Sequence, residues 1–188
     1  MKLLIVEGLD RCGKDTIIQR LMTDHPHFIR SHFGYPKGNT ADEKHEYQVY
    51  SFGIEFSMQR IIRTAYGSNY FQDGLYVWNR SHIGECVYGP MYREKDPEWV
   101  FDTEESYFAE DDEVYLLYLY ADVEFLLKRD DGNSFTTDIE KKKNEARLFE
   151  AAVDKSIIKN KMKIKVNDGD NYIDADGIYS LVKEFLSI

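Results

Sequence analysis

A glycine-rich turn near the start of the chain has the residues and the spacing needed to hold phosphate groups. Gly8, Gly13 and Lys14 form the pattern Gly-x-x-x-x-Gly-Lys directly after the apolar run at residues 3–6. The glycines let backbone N–H groups and the start of the next helix face the phosphates, and the lysine adds a positive charge for the β- and γ-phosphates. Asp15 stands where this motif usually has a serine or threonine that holds magnesium. The turn therefore predicts a P-loop for a nucleoside triphosphate, with an altered metal environment.

Two charged residues inside this loop could take part in phosphoryl transfer. Arg11 could place its guanidinium along the oxygen that bridges the donor and acceptor phosphates, where negative charge develops. Asp10 is unfavourable beside phosphates unless it accepts a hydrogen bond, for example from a sugar hydroxyl. We expect ATP to contact most of the loop, namely Gly8, Asp10, Arg11, Cys12, Gly13, Lys14, Asp15 and Thr16.

Strand-like and helix-like segments alternate along the chain, which predicts an α/β fold with a doubly wound parallel sheet flanked by helices. Five strands are expected, at residues 3–6, 27–32, 75–78, 114–120 and 162–166. Helices are expected at residues 14–22, 43–65, 142–159 and 176–186, with a further one after Asp122. Ligands bind at the carboxyl ends of such strands, so the loops that follow them should converge on one site. With no repeats or linkers, residues 1–188 should form a single domain.

A polar segment at residues 129–143 predicts a mobile lid. Arg129 and Arg147 flank this segment, at the place where a lid would close over the donor phosphates and exclude water. We therefore include Arg129 among the residues expected to bind ATP.

The composition limits the partners that the chain could have. A net charge of −10 argues against nucleic acid or an anionic membrane surface, although a few local cations could still bind a small phosphorylated metabolite. Cys12 and Cys86 have no metal-ligand spacing, which favours a reduced, cytoplasmic setting. The N-terminal residues do not resemble a secretory signal, and the apolar stretch at residues 114–123 is too short to span a membrane.

The loop at residues 6–14 closely resembles the opening of thymidylate kinases, whose loops read Glu-Gly-x-Asp-x-x-Gly-Lys-Ser-Thr. The resemblance implies that Arg11 stabilises the transferring phosphoryl group. It also implies that Asp10 contacts the 3′-hydroxyl of the acceptor. The chain is similar to a divergent type of member that some viruses encode.

A second match is Phe56-Ser-Met-Gln-Arg60, which resembles the Phe-Ser-Ala-Asn-Arg segment of that family. Residues four apart share a helix face, so the ring of Phe56 could stack on a base while Arg60 donates to its carbonyl edge. In the family these roles are thymine stacking and thymine recognition. The alternative is that Phe56 belongs to the core and Arg60 to the surface.

The third match is the segment at residues 73–81, which resembles an apolar family strand that ends in Asp-Arg-Tyr. Arg80 matches the arginine that holds the acceptor monophosphate, a role suited to its two-pronged guanidinium. Asn79 replaces the family's aspartate, so both metal-site positions differ from the family. One hypothesis is a ligand exchange in which Asp15 and Asn79 together hold Mg²⁺. The other is that Asp15 only caps its helix, with the metal held by water and phosphates.

Three weaker similarities add candidate contacts. The turn at residues 35–37 loosely resembles a family Phe-Pro-x-Arg turn, which implies that Lys37 contacts the acceptor phosphate. The segment at residues 82–93 is similar to one that lines the acceptor site in virus-encoded members, so Glu85 and Tyr88 could contact the acceptor's sugar or base, or could simply pack. Asn167 lies in a stretch that resembles a loop bracketing the adenine, although it also fits an ordinary turn.

The resemblance implies an enzyme that uses ATP and Mg²⁺ to phosphorylate a deoxynucleoside monophosphate, with dTMP as the expected acceptor and dTDP as the product for dNTP synthesis. It also implies a homodimer with small-molecule substrates and without nucleic acid or membrane partners. Arg11, Lys14 and Arg80 would be its catalytic residues.

Two alternatives stay open. A deoxynucleoside kinase would act on a neutral 5′-hydroxyl and would need a general base, usually a carboxylate after the second strand, but residues 31–40 contain none. A catalytically silent nucleotide-binding module is suggested by Asp15 and Asn79. Retention of Arg11, which binding alone would not need, counts against that module.

Overall fold

The computed structural model of the chain describes residues 2–66, 74–108, 113–132 and 134–188. Asp73, the first residue of the third family motif, lies outside the described residues. Five strands form one parallel sheet in the order β2-β3-β1-β4-β5. These strands are β1 (Lys2–Glu7), β2 (Ile29–His32), β3 (Leu75–Asn79), β4 (Val114–Tyr120) and β5 (Asn160–Lys165). The predicted fold class is therefore confirmed.

Helices flank this sheet and a short hairpin follows it in the described part of the chain. The helices are α1 (Lys14–Asp24), α2 (Ala41–Tyr66), α3 (Glu85–Tyr92), α4 (Glu98–Phe108), α5 (Val123–Leu127), α6 (Ile139–Lys155) and α7 (Ala175–Leu186). A 3₁₀ turn at His82–Gly84 precedes α3, and the antiparallel hairpin of β6 (Asn167–Asp168) and β7 (Asn171–Tyr172) precedes α7. Within the described ranges, no helix combines the length and the apolar character needed to cross a membrane.

The central strand β1 lies between β3 and β4 and is buried after its first residue. Its nearly continuous apolar run is typical of a parallel strand that is covered on both faces. The register pairs Val6 with Asn79 on one side and with Leu117 on the other. Because β1 and β3 end side by side, the loop after β1 and the residues after Asn79 meet at the same edge of the sheet.

The structure differs from the sequence prediction mainly in the helices. No helix was predicted at α3 or α4, whose patterns are broken by charged residues that the fold buries, such as Glu85 and Glu104. Helix α6 begins and ends earlier than predicted. It begins after Asp138 because that side chain accepts a hydrogen bond from the backbone N–H of Lys141, as an N-terminal cap does.

Candidate functional site

The loop between β1 and α1 curls tightly because of its glycines. Gly8 has a φ of 145°, and a Cβ atom there would lie 2.1 Å from the carbonyl oxygen of Leu119 on β4. Gly13 has a φ of 78° in the position just before α1. Arg11 also adopts a left-handed backbone, with a φ of 68°, which is uncommon for a residue with a side chain. Gly8 and Gly13 thus permit the tight backbone of the predicted P-loop, and Arg11 adds local strain to it.

Lys14 is buried inside this loop. Its Nζ donates to the carbonyl oxygens of Gly8 and Leu9, both at 2.7 Å. Burial lowers the pKa of Lys14, and the nearby Arg80 charge lowers it further. The ammonium group is thus held by backbone oxygens that an incoming phosphate can replace as the stronger partner.

Two cavities open beside the loop. The first, which we call the P-loop cavity, has a volume of about 520 Å³. It is lined by residues 10–17 on one side and by residues of later segments on the other, including Leu119, Val166, Tyr172 and Ile173. The second cavity has a volume of about 380 Å³ and lies between the strand ends, α2, α3 and the segment before α6. Both volumes fall in the range of small-molecule sites.

The two cavities meet at a group of charged residues. Five side chains line both cavities, and we call them the junction: Asp10, Arg11, Asp15, His32 and Arg80. A molecule in the P-loop cavity and a molecule in the second cavity would therefore touch each other at this group.

Ion pairs hold the junction in place. The guanidinium of Arg80 pairs with the carboxylate of Asp10, and that of Arg11 pairs with Asp131. Burial alone would raise the pKa of Asp10, but the charges of Arg80 and Lys14 together lower it, so the carboxylate is charged at neutral pH. Arg80 has a φ of 67°, a strained value that turns its side chain at the end of β3.

The structure brings the two proposed metal-site residues together. The amide Nδ2 of Asn79 donates to Oδ1 of Asp15 at 2.7 Å, and Arg30 donates to the same oxygen at 3.0 Å. Neither partner engages Oδ2 of Asp15. The amide oxygen of Asn79 is buried and has no hydrogen-bond partner among the described residues. Asn79 is therefore placed to orient the carboxylate, and its oxygen does not face Asp15 as the ligand-exchange hypothesis expects.

No ready-made metal cage is present in the described ranges of the chain: no group of three or more His, Cys, Asp or Glu side chains is arranged to hold an ion. Magnesium often keeps several waters and is bound by one or two carboxylates together with substrate phosphates. Asp15, exposed and oriented by two donors, fits that more open kind of site.

Buried charges form the wall of the second cavity on the α3 side. Glu85 and Arg93 form an ion pair in which both side chains are only 5% exposed. Burial raises the pKa of Glu85, although the Arg93 charge opposes the shift. Glu7, at the end of β1, is also buried, and its Oε1 accepts a hydrogen bond from Ser81 at 2.7 Å. Burial raises the pKa of Glu7 as well.

Phe56 and Arg60 lie outside both cavities. Phe56 is 1% exposed and packs against Trp78, His82 and Phe108, with ring centroids 5.0–5.1 Å apart. Arg60 is exposed to solvent, whereas its neighbour Gln59 occupies the buried side of α2. Phe52, one turn earlier, is the α2 ring that lines the second cavity. The expectation that Phe56 and Arg60 contact a base therefore does not match their positions.

Three further predicted contacts are also placed elsewhere. Lys37 is exposed, and its neighbours Tyr35 and Pro36 line the second cavity instead. Arg129 packs its guanidinium 3.8 Å from the ring centre of Phe125 and donates to the carbonyl oxygen of Asp170.

The third, Asn167, has a structural role beside the P-loop cavity. It donates to Asp122 and to the carbonyl oxygen of Gly169, so it braces the turn. Tyr172 of β7 lines the cavity in its place, and its hydroxyl donates to the carbonyl oxygen of Arg11 at 2.8 Å.

The polar segment before α6 also lies in an unexpected place. We call residues 128–132 and 134–138 the lid segment. Asp131 and Phe135 of this segment line the second cavity, whereas no described residue of the segment lines the P-loop cavity. The lid segment therefore covers the second cavity, and not the triphosphate side as its sequence led us to expect.

Sequence reasoning identified Glu85 and Tyr88 but missed much of the second cavity. The missed wall residues include Glu7, Gln48, Phe52, Arg93 and Phe135. Their one available signal is spacing: Gln48 and Phe52 are four residues apart on α2, in phase with the buried Phe56.

The fold resembles those of solved nucleotide-handling proteins. YorR from Bacillus subtilis, solved with phosphorylated GDP, matches with a TM-score of 0.62 and 16% identity over 97% of this chain and 96% of that one. Thymidylate kinase from Candida albicans matches with a TM-score of 0.62 and 15% identity over 99% and 91% of the two chains. Deoxyadenosine kinase from M. mycoides, solved with bound dATP, matches with a TM-score of 0.59 and 13% identity over the full length of both. At this identity the likeness establishes a shared fold, a parallel sheet flanked by helices.

The sequence alone finds no such relatives. No protein-family model matches the chain, and no curated protein matches it either.

Proposed function

We propose that this protein transfers a phosphoryl group from ATP to a nucleotide, and that its acceptor is a deoxynucleoside monophosphate, with dTMP first among the candidates. The observation that carries the proposal is the junction of four charged residues and one histidine shared by the two cavities. Direct phosphoryl transfer needs a donor and an acceptor that meet end to end among cations, and the junction offers that arrangement.

ATP would occupy the P-loop cavity. Its phosphates would lie on the backbone N–H groups of the loop, and Lys14 would exchange the carbonyl oxygens of Gly8 and Leu9 for phosphate oxygens. Arg11 would leave Asp131 and contact the transferring group, where it stabilises the charge that develops in the transition state. The adenine would lie at the apolar end of the cavity, which is formed by the ring of Tyr172 and the side chains of Val166 and Ile173.

The acceptor would occupy the second cavity with its phosphate at Arg80. A guanidinium can pair with a phosphate through two parallel hydrogen bonds, so Arg80 would exchange part of its contact with Asp10 for the acceptor phosphate. Asp10, released in part, could then accept from a sugar hydroxyl. The acceptor oxygen of a monophosphate is already largely ionised, so this transfer needs no general base.

The base of the acceptor would lie deeper in the second cavity. Phe52 lines this part of the cavity as an apolar wall, and Gln48, Glu85 and Arg93 offer buried donors and acceptors to the edge of a base. A site built from buried polar groups discriminates strongly, because a wrong base leaves those groups unpaired. In this proposal Gln48 replaces Arg60 as the contact to the edge of the base, and Phe52 forms part of the apolar wall in place of Phe56. The preference for dTMP rests on the similarity of the loop and of Arg80 to thymidylate kinases.

Mg²⁺ would be held by Asp15 together with phosphate oxygens and water. When bound, the ion neutralises charge on the β- and γ-phosphates. Asn79 and Arg30 would keep the Asp15 carboxylate in one orientation through its Oδ1 atom.

Glu7 supports a second candidate, phosphorylation of the 5′-hydroxyl of a deoxynucleoside. That reaction needs a carboxylate that can take a proton, and Glu7 is a buried carboxylate on the wall of the second cavity with a raised pKa. Such a base was expected after the second strand, whereas Glu7 is the last residue of β1. The monophosphate is favoured because Arg80 and Arg11 bring two guanidinium groups to the junction.

We further propose that the chain is one domain and forms a homodimer through α2. The helix exposes a row of apolar side chains at helical spacing: Tyr47, Tyr50, Ile54, Met58 and Ile61. Such a row on one helix face is typical of a contact surface. Cys12 and Cys86 are free, buried thiols, in keeping with a cytoplasmic setting.

One coupled assay separates these candidates. ADP release from ATP and Mg²⁺ is measured in parallel with dTMP, dUMP, dCMP, dAMP, dGMP and thymidine. The proposal predicts turnover with a monophosphate, fastest with dTMP. Turnover with thymidine alone would favour the 5′-hydroxyl reaction. ATP binding without turnover of any acceptor would favour a silent nucleotide-binding module.

A further inference from the structure

The ring that was expected to stack on the acceptor's base is absent from the second cavity, since Phe56 is buried in the core. Phe33 and Phe52 line the cavity, but they pack on each other, with ring centroids 4.6 Å apart. Phe52 is also only 1% exposed, so little of its ring is open to a ligand. A planar base in this cavity therefore needs a different aromatic face.

Phe135 of the lid segment has such a face. It lines the second cavity and is 38% exposed, although it is a large apolar ring. Three tyrosines surround it with their planes within 30° of its own. The centroid of Phe135 lies 5.5 Å from that of Tyr35, 4.8 Å from Tyr88 and 4.9 Å from Tyr92. This is the offset, near-parallel geometry that flat aromatic groups prefer.

The position of Phe135 in the chain links its ring to the P-loop. Asp131, four residues before Phe135, pairs with Arg11 of the P-loop, so the lid segment contacts the junction and the aromatic wall of the same cavity. A base that stacked on Phe135 would hold the lid segment over the acceptor. The energy of that contact would depend on a flat ring in the acceptor, and not on ATP.

We propose that Phe135 is a substrate-binding residue of the acceptor site, which stacks on the nucleobase and couples closure of the lid segment to acceptor binding. The inference rests on the proposed function, because it takes the second cavity to be the acceptor site. Tyr35 and Tyr88 hold the ring of Phe135 in near-parallel stacks at the wall of the second cavity. Stacking on an aromatic face tolerates any base, so edge recognition stays with Gln48, Glu85 and Arg93.

The test compares Phe135→Leu with Phe135→Tyr by calorimetric titration of dTMP, without ATP. Leucine keeps the apolar volume but removes the flat face. We expect Phe135→Leu to weaken dTMP binding about tenfold or more, the scale of base–aromatic stacking, and Phe135→Tyr to bind within about twofold of the original chain. Deoxyribose 5-phosphate, which has no base, should bind equally to all three proteins.

Two controls test whether the effect is specific to the acceptor and to the ring of Phe135. The Michaelis constant for ATP should not change in either variant, and Phe185→Leu, a half-exposed ring on α7, should leave dTMP binding unchanged. Melting temperatures of the variants show whether each one is folded. If Phe135→Leu binds dTMP as well as Phe135→Tyr does, the ring serves only as an apolar closure and the proposal is overturned.

The proposed function can be wrong independently of the role proposed for Phe135. If the original chain phosphorylates thymidine and no monophosphate, the function in its first form is wrong, and the same variants are titrated with thymidine to decide the role of Phe135. If another monophosphate binds in place of dTMP, the same variants are titrated with that one. If neither thymidine nor any of the five monophosphates binds, the second cavity is not an acceptor site and the proposal on Phe135 falls with it.

Discussion

The P-loop cavity and the second cavity are built in different ways. One continuous stretch, residues 10–17, provides half of the residues that line the P-loop cavity, and Lys14 is held by backbone oxygens of its own loop. The second cavity takes residues from at least five separate segments, and buried polar contacts join some of them, such as the hydrogen bond from Ser81 to Glu7. The P-loop side is therefore fixed by local backbone geometry, and the second side by how helices pack. Variants in the two cavities should therefore affect ATP and the acceptor differently.

The largest effect is expected on the P-loop side. Lys14→Met keeps the length of the side chain but removes the charge that would face the β- and γ-phosphates. We expect kcat to fall by a factor of about 10³, since a single lost transition-state donor costs on the order of 10²–10³. Calorimetric binding of dTMP should be unchanged. Loss of dTMP binding in this variant would show that the two cavities do not act separately.

Arg80→Lys tests the junction from the other side. Lysine keeps the charge but loses the two-pronged geometry, and the left-handed backbone at this position is unaffected by the exchange. We expect the Michaelis constant for the monophosphate to rise by about tenfold, the effect of roughly 1.4 kcal/mol, with that for ATP changed much less. Equal changes in the two constants would contradict the assignment of Arg80 to the acceptor.

A pair of variants on α2 tests which turn of the helix meets the acceptor. Gln48→Ala removes a wall residue of the second cavity and should raise the Michaelis constant for dTMP by about tenfold, as loss of a buried hydrogen-bond partner does. Phe56→Leu should lower the free energy of unfolding by about 1 kcal/mol, through lost aromatic packing, without changing that constant. If Phe56→Leu raised the Michaelis constant for dTMP and Gln48→Ala did not, the base would contact Phe56, as the sequence predicted.

An effect of the same order is expected at Asp15, on the metal and not on the acceptor. Asp15→Ala should raise the Mg²⁺ concentration needed for half-maximal turnover on the order of tenfold, because phosphate oxygens and water still hold the ion. Paramagnetic resonance of Mn²⁺ with ADP measures the same site without turnover. Asn79→Ala should shift both measurements less than Asp15→Ala does, since Asn79 acts through Asp15. Unchanged metal binding in Asp15→Ala would leave Asp15 as a helix cap only.

The same contrast explains what the sequence could predict. The apolar runs of the buried strands β1, β3 and β4 and the spacing of Gly8, Gly13 and Lys14 act locally, so the centre of the sheet and the P-loop followed from the pattern. Phe56 and Arg60 share a helical spacing, but the side of α2 that faces the cavity depends on how the helix packs on Trp78 and Phe108. That rotation is a tertiary property, and a spacing of four residues does not determine it.

The lid segment shows the same limit. Its polar composition predicted a connection that could cover the site, but composition does not say which cavity it covers. That choice depends on the contact of Phe135 with Tyr88 and Tyr92, two residues of a helix that the pattern did not reveal. The sequence did not predict α3 and α4, because the buried charges of Glu85 and Glu104 interrupt the apolar periodicity of these helices.

The central claim is that two nucleotides meet at the junction, and a single ligand tests it directly. Adenosine and thymidine joined through their 5′ positions by five phosphates would span both cavities at once. We expect it to bind at least about 100-fold more tightly than ATP or dTMP alone, because the second contact becomes intramolecular, and Arg80→Lys should remove much of the gain. If this ligand binds no more tightly than ATP, the cavities do not form one continuous site, and the central claim is wrong.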